Sequence, residues 1–144
     1  MLLIGLPMVL GCNKETQAEI DRVLIQDYIQ SNNLQAEEDA SGLFYTIDVP
    51  GDTEKPVLAD SVVISYRGTL LSGLEFDATD DGETATFLLD DLIEGWKIGI
   101  PKYGRGGSGK LLVPSNLGYG PNRIGPIPGN SVLVFDIELF DFYQ

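Results

Sequence analysis

Histidine is absent from the 144-residue sequence, and cysteine occurs once, as Cys12. Without histidine the chain has no serine–histidine or cysteine–histidine catalysis, and most zinc ligand sets are excluded. Basic residues are also scarce, since nine Lys and Arg stand against 22 Asp and Glu, a formal net charge of −13. That charge repels phosphate backbones, so nucleic acid is not expected as a partner. Any activity must work without such groups, and we expect no metal and no cofactor.

The length suits one domain with a short appendage, because domains commonly contain about 100–150 residues. Hydrophobic residues make up 43% of the chain, enough for a core, and 17 glycines offer many turns. We find no internal repeat. Three regions are predicted: residues 1–12, resembling a signal with a lipobox; residues 13–41, a helix and a linker; and residues 42–144, the folded domain.

Residues 1–10 are almost wholly apolar but too short to cross a bilayer, which takes about 20 residues in a helix. They fit the apolar region of a secretory signal. Residues 9–12 read Val-Leu-Gly-Cys and resemble a bacterial lipobox, which predicts lipidation of Cys12, a cysteine with no disulfide partner. A signal usually begins with Lys or Arg, yet none precedes Lys14. The alternative is an apolar N-terminus with a buried thiol.

A helix is predicted directly after this segment. Thr16 and Glu19 have the spacing of a capping box, which satisfies exposed amides at a helix start. Apolar residues follow at helical spacing: Ile20, Val23, Leu24 and Tyr28, widened by Ile25 and Ile29. We expect the helix to end near residues 32–33 and to bury this face on the domain or on a second copy. Residues 35–41 are acidic and unpatterned, and they predict a linker.

From Leu43 the apolar period changes to two, which is typical of half-buried strands. Strands are predicted over residues 43–49, 62–66, 84–89, 110–113 and 132–142. Between them, Asp90 or Asp91 is expected to cap a short helix that Pro101 ends. The prediction is an α+β fold, with an antiparallel sheet wrapped around a short helix and an N-terminal helical extension.

Two motifs imitate ligand-binding loops. Residues 104–110 satisfy G-x-G-x-x-G and most of a phosphate loop, but Leu111 replaces the required hydroxyl residue and a strand, not a helix, is predicted to follow. Residues 77–82 begin like a calcium loop, yet Leu88 occupies the position of its bidentate glutamate. We therefore expect a strand in the first case and a solvated acidic turn in the second.

Five spaced segments together indicate a family: residues 62–68, 73–77, 92–96, 117–120 and 127–139. In that order they resemble the macrolide-binding (FKBP-type) peptidyl-prolyl isomerases, over residues 42–143. The resemblance implies a pocket in which Trp96 is the floor and Ile93 offers its backbone amide to a ligand carbonyl. It implies these further site residues: Tyr66, Phe76, Phe135 and Ile127 as walls, Asp77 and Tyr119 as polar contacts at the rim, and Leu92 in substrate binding.

The chain also departs from the family pattern. Ala85 and Phe87 are followed by a short link to Leu92, which predicts that one aromatic wall is missing or displaced. The loop at residues 121–124 is short, and Gly129 replaces a proline that is common in the family. These changes concern substrate preference and macrolide affinity more than the fold.

The resemblance implies an isomerase of proline-containing polypeptides, with macrolides such as tacrolimus as candidate ligands. With the lipobox, it predicts a protein of the bacterial cell envelope, anchored through lipidated Cys12 and facing the periplasm, on the outer membrane in preference to the inner. Two alternatives stay open. One is a proline-peptide-binding module or chaperone with little catalysis, and the other is a structural lipoprotein with a vestigial pocket.

Overall fold

The fold is described from a computed structural model, which describes residues 14–144. Cys12 and the predicted signal therefore lie outside the described residues. The helices and strands are α1 (Gln17–Ser31), β1 (Glu37–Glu38), β2 (Phe44–Tyr45), β3 (Ser61–Leu70), β4 (Glu75–Ala78), β5 (Ala85–Leu88), α2 (Glu94–Gly99), β6 (Gly107–Val113) and β7 (Leu133–Tyr143). Within residues 14–144, none of the helices combines the length and apolarity that a membrane span requires.

The strands form one antiparallel sheet in the order β1-β2-β6-β7-β3-β4, with β5 also paired to β3. This confirms the predicted α+β architecture. β7 lies between β6 and β3, so the backbone groups of both strands form antiparallel hydrogen bonds with it. Alternate side chains of these strands point to opposite faces and divide the apolar residues into two clusters.

The larger cluster covers the face on which α2 packs. Trp96 of α2 joins it, with Leu111 and Val113 from β6 and Phe135 from β7. Two glycines allow this close packing: a Cβ at Gly99 would lie 2.6 Å from the Leu111 side chain. A Cβ at Gly95 would lie 2.6 Å from Val113. The short helix is therefore held directly against the sheet, as predicted.

Helix α2 begins differently from its prediction. Residues 89–91 form a 3₁₀ turn, and the N-cap of α2 is Ile93, without a side-chain hydrogen bond. The expectation that Asp90 or Asp91 caps the helix was wrong, because the 3₁₀ turn places both one turn too early. Pro101 lies inside a second 3₁₀ turn, Ile100–Lys102, that follows α2. Proline is tolerated there because the first residues of such a turn need no amide donor.

Helix α1 has the predicted capping box. The Glu19 amide donates to Thr16 Oγ1 at 3.2 Å, and the Thr16 amide donates to Glu19 Oε2 at 2.7 Å. Its buried face was predicted only in part: Ile25, Tyr28 and Ile29 of the predicted stripe pack on the domain, but Ile20, Val23 and Leu24 do not. Asp21 and Ile25 are fully buried, whereas Ile20, Val23 and Leu24 are 37%, 55% and 41% exposed.

Ile25 packs in the second cluster, on the face of the sheet opposite α2, with Phe44, Leu112, Val132 and Val134. The helix thus docks on the domain, one of the two outcomes that the sequence left open. Residues 35–41, predicted as an unpatterned linker, also belong to the folded unit. Glu37–Glu38 forms a strand with β2, and the Asp39 carboxylate pairs with Lys102 at 2.8 Å.

The strand predicted over residues 43–49 is regular only at Phe44–Tyr45. Beyond it, the amides of Asp48 and Val49 both donate to the Ser108 carbonyl, at 2.9 and 3.1 Å, which is a β-bulge. The bulge exposes Val49 and ends the regular alternation.

The glycine-rich residues 104–110 face this bulged segment. A Cβ at Gly109 would lie 2.0 Å from the Thr46 carbonyl oxygen, and one at Gly104 would lie 1.9 Å from the carbonyl oxygen of Asp52. The glycines therefore permit close backbone approach in and before β6. The prediction of a strand in place of a phosphate loop is confirmed.

Candidate active site

An apolar cavity of about 150 Å³ opens between the sheet, α2 and the loop that follows β6. Its lining residues are Tyr66, Phe76, Asp77, Phe87, Leu92, Ile93, Trp96, Tyr119 and Phe135. Eight of the nine residues that the resemblance implies thus meet at one cavity. The structure adds Phe87 and removes Ile127.

The indole of Trp96 lies at the centre of the aromatic packing. Its ring centroid is 5.0 Å from Tyr66 and 5.0 Å from Phe135, with interplanar angles of 77° and 84°. Edge-to-face pairs of this kind are favoured by the ring quadrupoles. Trp96 is only 5% exposed, and its Nε1 has no hydrogen-bond partner among the described residues. The packed neighbours hold the indole as a rigid apolar floor.

Phe76 and Phe135 form one wall. Their centroids are 5.6 Å apart at an interplanar angle of 89°. Phe76 comes from β4 and Phe135 from β7, on either side of β3. Both rings crowd Gly68 of β3, where a Cβ would lie 2.7 Å from Phe76 and 2.9 Å from Phe135. The absence of a side chain at Gly68 makes room for the wall.

Phe87 lines the cavity, so the aromatic wall that was predicted to be missing or displaced is not missing. Its centroid is 6.3 Å from Tyr66 and 6.4 Å from Trp96. Phe87 pairs with the buried Val62 in the sheet register, so the two side chains point to the same, core-facing side of the sheet. The alternation of residues along β5 could therefore have predicted this position.

Asp77 is the carboxylate among the lining residues, and Tyr66 fixes it. The Tyr66 hydroxyl donates to Asp77 Oδ2 at 2.6 Å, which joins β3 to β4 across the rim. Burial raises the pKa of Tyr66, and the hydrogen bond to the Asp77 carboxylate raises it further. The phenol therefore stays protonated at neutral pH and keeps donating.

Tyr119 lies on the loop after β6, at the other side of the rim. It is 39% exposed, so its hydroxyl can meet a ligand at the mouth of the cavity. Burial of the phenol raises the pKa of Tyr119, and the Asp77 charge adds to the effect. Like Tyr66, it remains a hydrogen-bond donor at neutral pH.

The backbone of Ile93 contributes a polar group to an otherwise apolar wall. Its carbonyl accepts from the amides of Trp96 and Lys97 at 2.9 and 3.2 Å, because Ile93 is the N-cap of α2. Within residues 14–144 no protein atom accepts a hydrogen bond from its own N–H. Leu92, half-buried beside it, extends the apolar lining.

Ile127 does not line the cavity. It is 5% exposed and belongs to the main core cluster. An isolated bridge with Ile124, with backbone hydrogen bonds of 3.0 and 2.9 Å, turns the segment so that the side chain points inward. Ile127 therefore packs in the core cluster that contains Trp96 and Phe135, and not on the cavity surface itself.

A larger, open depression of about 470 Å³ lies on another part of the sheet. It is lined by charged residues, and several are paired, as in Arg67–Glu75 at 2.8 Å and Lys110–Asp136. A solvated, largely polar surface of this kind offers little desolvation to a ligand. The smaller aromatic cavity is the better candidate for an active site.

Comparisons with known proteins agree with this geometry. The family model "FKBP-type peptidyl-prolyl cis-trans isomerase" matches residues 52–140. Two curated relatives named FkpA are similar: that of Buchnera aphidicola subsp. Schizaphis graminum, 45% identical over 104 residues, and that of Escherichia coli K12, 44% over 103. "Outer membrane protein MIP" of Legionella longbeachae is 40% identical over 101 residues.

These alignments cover 71%, 71% and 69% of this chain but 41%, 38% and 43% of the respective relatives. The chain therefore spans less than half the length of these curated proteins. Among solved structures, FkpA from Escherichia coli aligns with a TM-score of 0.77 at 35% identity, covering 89% of this chain and 63% of that one.

Proposed function

Because the chain belongs to the FKBP-type peptidyl-prolyl cis-trans isomerase family, we propose that it catalyses cis–trans isomerisation of X–Pro bonds in polypeptides. The observation that carries this proposal is the aromatic cavity floored by Trp96, with Asp77 at its rim. Such a site suits a reaction in which no covalent bond is made or broken.

Rotation about an X–Pro amide must pass a twisted geometry that breaks resonance, at a barrier of about 18–20 kcal/mol. In the twisted amide the carbonyl oxygen loses negative charge and the nitrogen becomes pyramidal. The transition state is thus less polar than either planar isomer. A cavity that removes water from the planar amide favours twisting, and each ~1.4 kcal/mol of differential stabilisation gives tenfold in rate.

The aromatic side chains supply this water-excluding environment. The proline ring would lie on Trp96, between the wall of Phe76 and Phe135 and the wall of Phe87. Since these rings are packed edge-to-face, they hold their positions without the substrate. The protein is therefore organised in advance for an apolar transition state.

Two donors would orient the carbonyls that flank the proline. The Ile93 N–H has no acceptor within residues 14–144, and the Tyr119 hydroxyl stands at the mouth. Fixing both ends leaves rotation about the prolyl bond as the remaining motion. Asp77, held by Tyr66, would place negative charge near the carbonyl carbon, which becomes more electrophilic as resonance is lost.

The cavity size favours one residue-sized ring. Its volume of about 150 Å³ is below the ~300–1,000 Å³ typical of sites for drug-sized ligands. Proline-containing polypeptides are therefore the proposed substrates. A macrolide such as tacrolimus would insert one ring and lay the rest of its surface across the rim, in contact with Tyr119.

A proline-limited refolding assay tests the activity. The wild type should accelerate the slow phase of a protein whose refolding waits on prolyl isomerisation, and Trp96→Ala should lose most of that acceleration. Trp96 is the single tryptophan of the sequence, so its emission should also change when a proline peptide is titrated. A matched peptide with alanine for proline is the control.

The two measurements also separate the alternatives. Binding without acceleration would replace the isomerase with a binding module or chaperone. Neither binding nor acceleration by a folded domain would indicate a structural protein with a vestigial pocket.

We further propose that the protein acts in the bacterial cell envelope, anchored through lipidated Cys12 and facing the periplasm from the outer membrane. The lipobox-like residues 9–12 support this proposal, as does the name of the Legionella relative. Several acyl chains on one cysteine would anchor more firmly than a single chain, which binds only marginally.

Expression with a complete signal sequence tests the anchor. The wild type should fractionate with membranes and incorporate labelled fatty acid, and Cys12→Ser should abolish both while proline-peptide binding persists. Labelling that survives in Cys12→Ser would refute Cys12 as the lipid attachment point. Sucrose-gradient separation of the two membranes distinguishes outer from inner.

A further inference from the structure

Asp21 of α1 is a fully buried carboxylate far in sequence from the cavity. Its Oδ2 accepts two hydrogen bonds from Ser115, one from the backbone N–H at 2.8 Å and one from Oγ at 2.6 Å. Its Oδ1 accepts from Gln17 Nε2 at 2.8 Å. Buried polar groups in folded proteins are normally hydrogen-bonded in this way. Both oxygens are thus used, and one residue of the domain, Ser115, donates two of the three bonds.

Ser115 is the first residue of the 3₁₀ turn that leads from β6 to the rim. It is 3% exposed. While its N–H and hydroxyl donate to Asp21, its carbonyl accepts from the amides of Gly118 at 3.1 Å and Gly120 at 2.8 Å. Those two glycines flank Tyr119. A single residue therefore connects the carboxylate of α1 to both neighbours of a rim residue.

Resting on the proposed function, we propose that Asp21 is a positioning residue, which sets the place of the Tyr119 hydroxyl through Ser115. Helix α1 is then part of the active-site support. Docking of the helix does not depend on this contact alone, because Ile25 packs separately in the cluster on the opposite face of the sheet. Positioning and docking can therefore be separated by mutation.

The primary variant is Asp21→Ala, assayed with a proline peptide at a temperature where every variant is folded. It should lower kcat/KM about tenfold, because Tyr119 is no longer held against the substrate carbonyl. Asp21→Asn should recover most of the loss, since its amide oxygen can accept from Ser115 and its NH₂ can donate to a flipped Gln17. If the negative charge of Asp21 were what matters, Asp21→Asn would not recover kcat/KM.

Two controls lie on the same helix. Asp27→Ala removes an exposed carboxylate and should leave kcat/KM unchanged. Ile25→Ala should lower Tm by creating a cavity, yet keep kcat/KM within about twofold. If Ile25→Ala and Asp21→Ala lower kcat/KM equally, Asp21 acts through stability and the proposal is overturned.

A double-mutant cycle gives the sharpest readout. In a Tyr119→Phe background the hydroxyl is already missing, so Asp21→Ala should have little further effect on kcat/KM. Full additivity would contradict positioning of Tyr119. Should Asp21→Ala fail to fold, Ser115→Ala removes one of the two donors and takes its place in the cycle.

Amide hydrogen exchange keeps the test independent of catalysis. Asp21→Ala should speed exchange of the Gly118 and Gly120 amides, while the amides of β3 and β7 stay protected. A wild type without isomerase activity would refute the proposed function. The exchange data would still decide whether Asp21 orders the residues around Tyr119 through Ser115. Unchanged exchange at both glycines would overturn the proposal.

Discussion

The Phe76 ring fills the space that a side chain at Gly68 would need: a Cβ on Gly68 would lie 2.7 Å from the ring. The Phe135 ring would be 2.9 Å away. The cavity wall therefore depends on a strand position without a side chain, although glycine is unfavourable in strand interiors.

Gly68→Ala should damage the site more than the fold. The backbone at Gly68 has no positive φ, so alanine is sterically allowed and its methyl group must displace the two rings. Overpacking of this kind costs about 1–3 kcal/mol of unfolding free energy. We expect reduced proline-peptide affinity, measured by Trp96 emission. Gly73→Ala, at a turn with φ +91° and open space around its Cβ, is the control that strains the backbone without crowding the two rings. Equal affinities in the two variants would contradict the crowding argument.

Phe76→Ala should reduce kcat/KM more than Asp77→Ala. Removing the ring opens a wall and admits water, which stabilises the planar amide relative to the twisted one. We expect a loss of about 10- to 100-fold, equivalent to about 1.4–2.8 kcal/mol. Asp77→Ala should lower kcat/KM only severalfold. Circular dichroism of the sheet should be unchanged in both, and full activity in both variants would place the catalytic site elsewhere.

The tyrosines at the rim predict activity that persists into alkaline solution. Burial and the Asp77 carboxylate raise the pKa of Tyr66 and of Tyr119 above the usual 10.0. Their protonated forms, and the Tyr66–Asp77 hydrogen bond, therefore survive at a pH where unfolded tyrosine ionises. This contribution to stability is complete below pH 10 and is lost as pH rises through the higher folded values.

Tyrosinate absorbance checks this prediction. Folded protein should ionise a smaller fraction of its six tyrosines at pH 10 than protein unfolded in urea. Activity of the wild type should stay flat from neutral pH to about pH 10. Coincident folded and unfolded titrations would contradict it.

Asp39 predicts the opposite pH dependence. The hydrogen bond from Lys102, together with bonds from Ser41, lowers the pKa of Asp39 below its usual 3.8. The contact therefore adds stability above pH 4 and loses it as pH falls through the lower folded value. Because the pair is partly exposed, we expect about 0.5–1 kcal/mol.

Urea unfolding of Asp39→Asn and the wild type at pH 7 and pH 2 measures this difference. The gap in unfolding free energy should be present at neutral pH and shrink in acid. An equal gap at both pH values would assign the effect to packing in place of charge.

The long strands were predictable because each buries one face. Val62 and Ile64 are buried while Ser61 and Ser65, before and after them, are partly exposed, and this contrast is visible as alternation in the sequence. The same holds for most of β7. Where both backbone pairing and side-chain burial repeat every two residues, local pattern and tertiary structure agree.

The buried face of α1 was predictable in this way only in part. Hydrophobicity correctly favours Ile25, Tyr28 and Ile29, which pack on the domain. It also favours Ile20, Val23 and Leu24, which are exposed. The helix instead turns Asp21 inward, where Ser115 offers two donors to it. That partner is 94 residues away in the chain, and nothing local indicates it.

The position of β7 between β3 and β6 has a consequence for the protein's own biogenesis. While residues 133–143 are still within the ribosome, β3 and β6 have no common neighbour, and the edges that pair with β7 stay open. The strand that arrives last completes the middle of the sheet, so assembly waits for nearly all of residues 14–144. Such late, non-local pairing slows folding, so the cavity, whose wall includes Phe135 of β7, cannot form until this strand is in place.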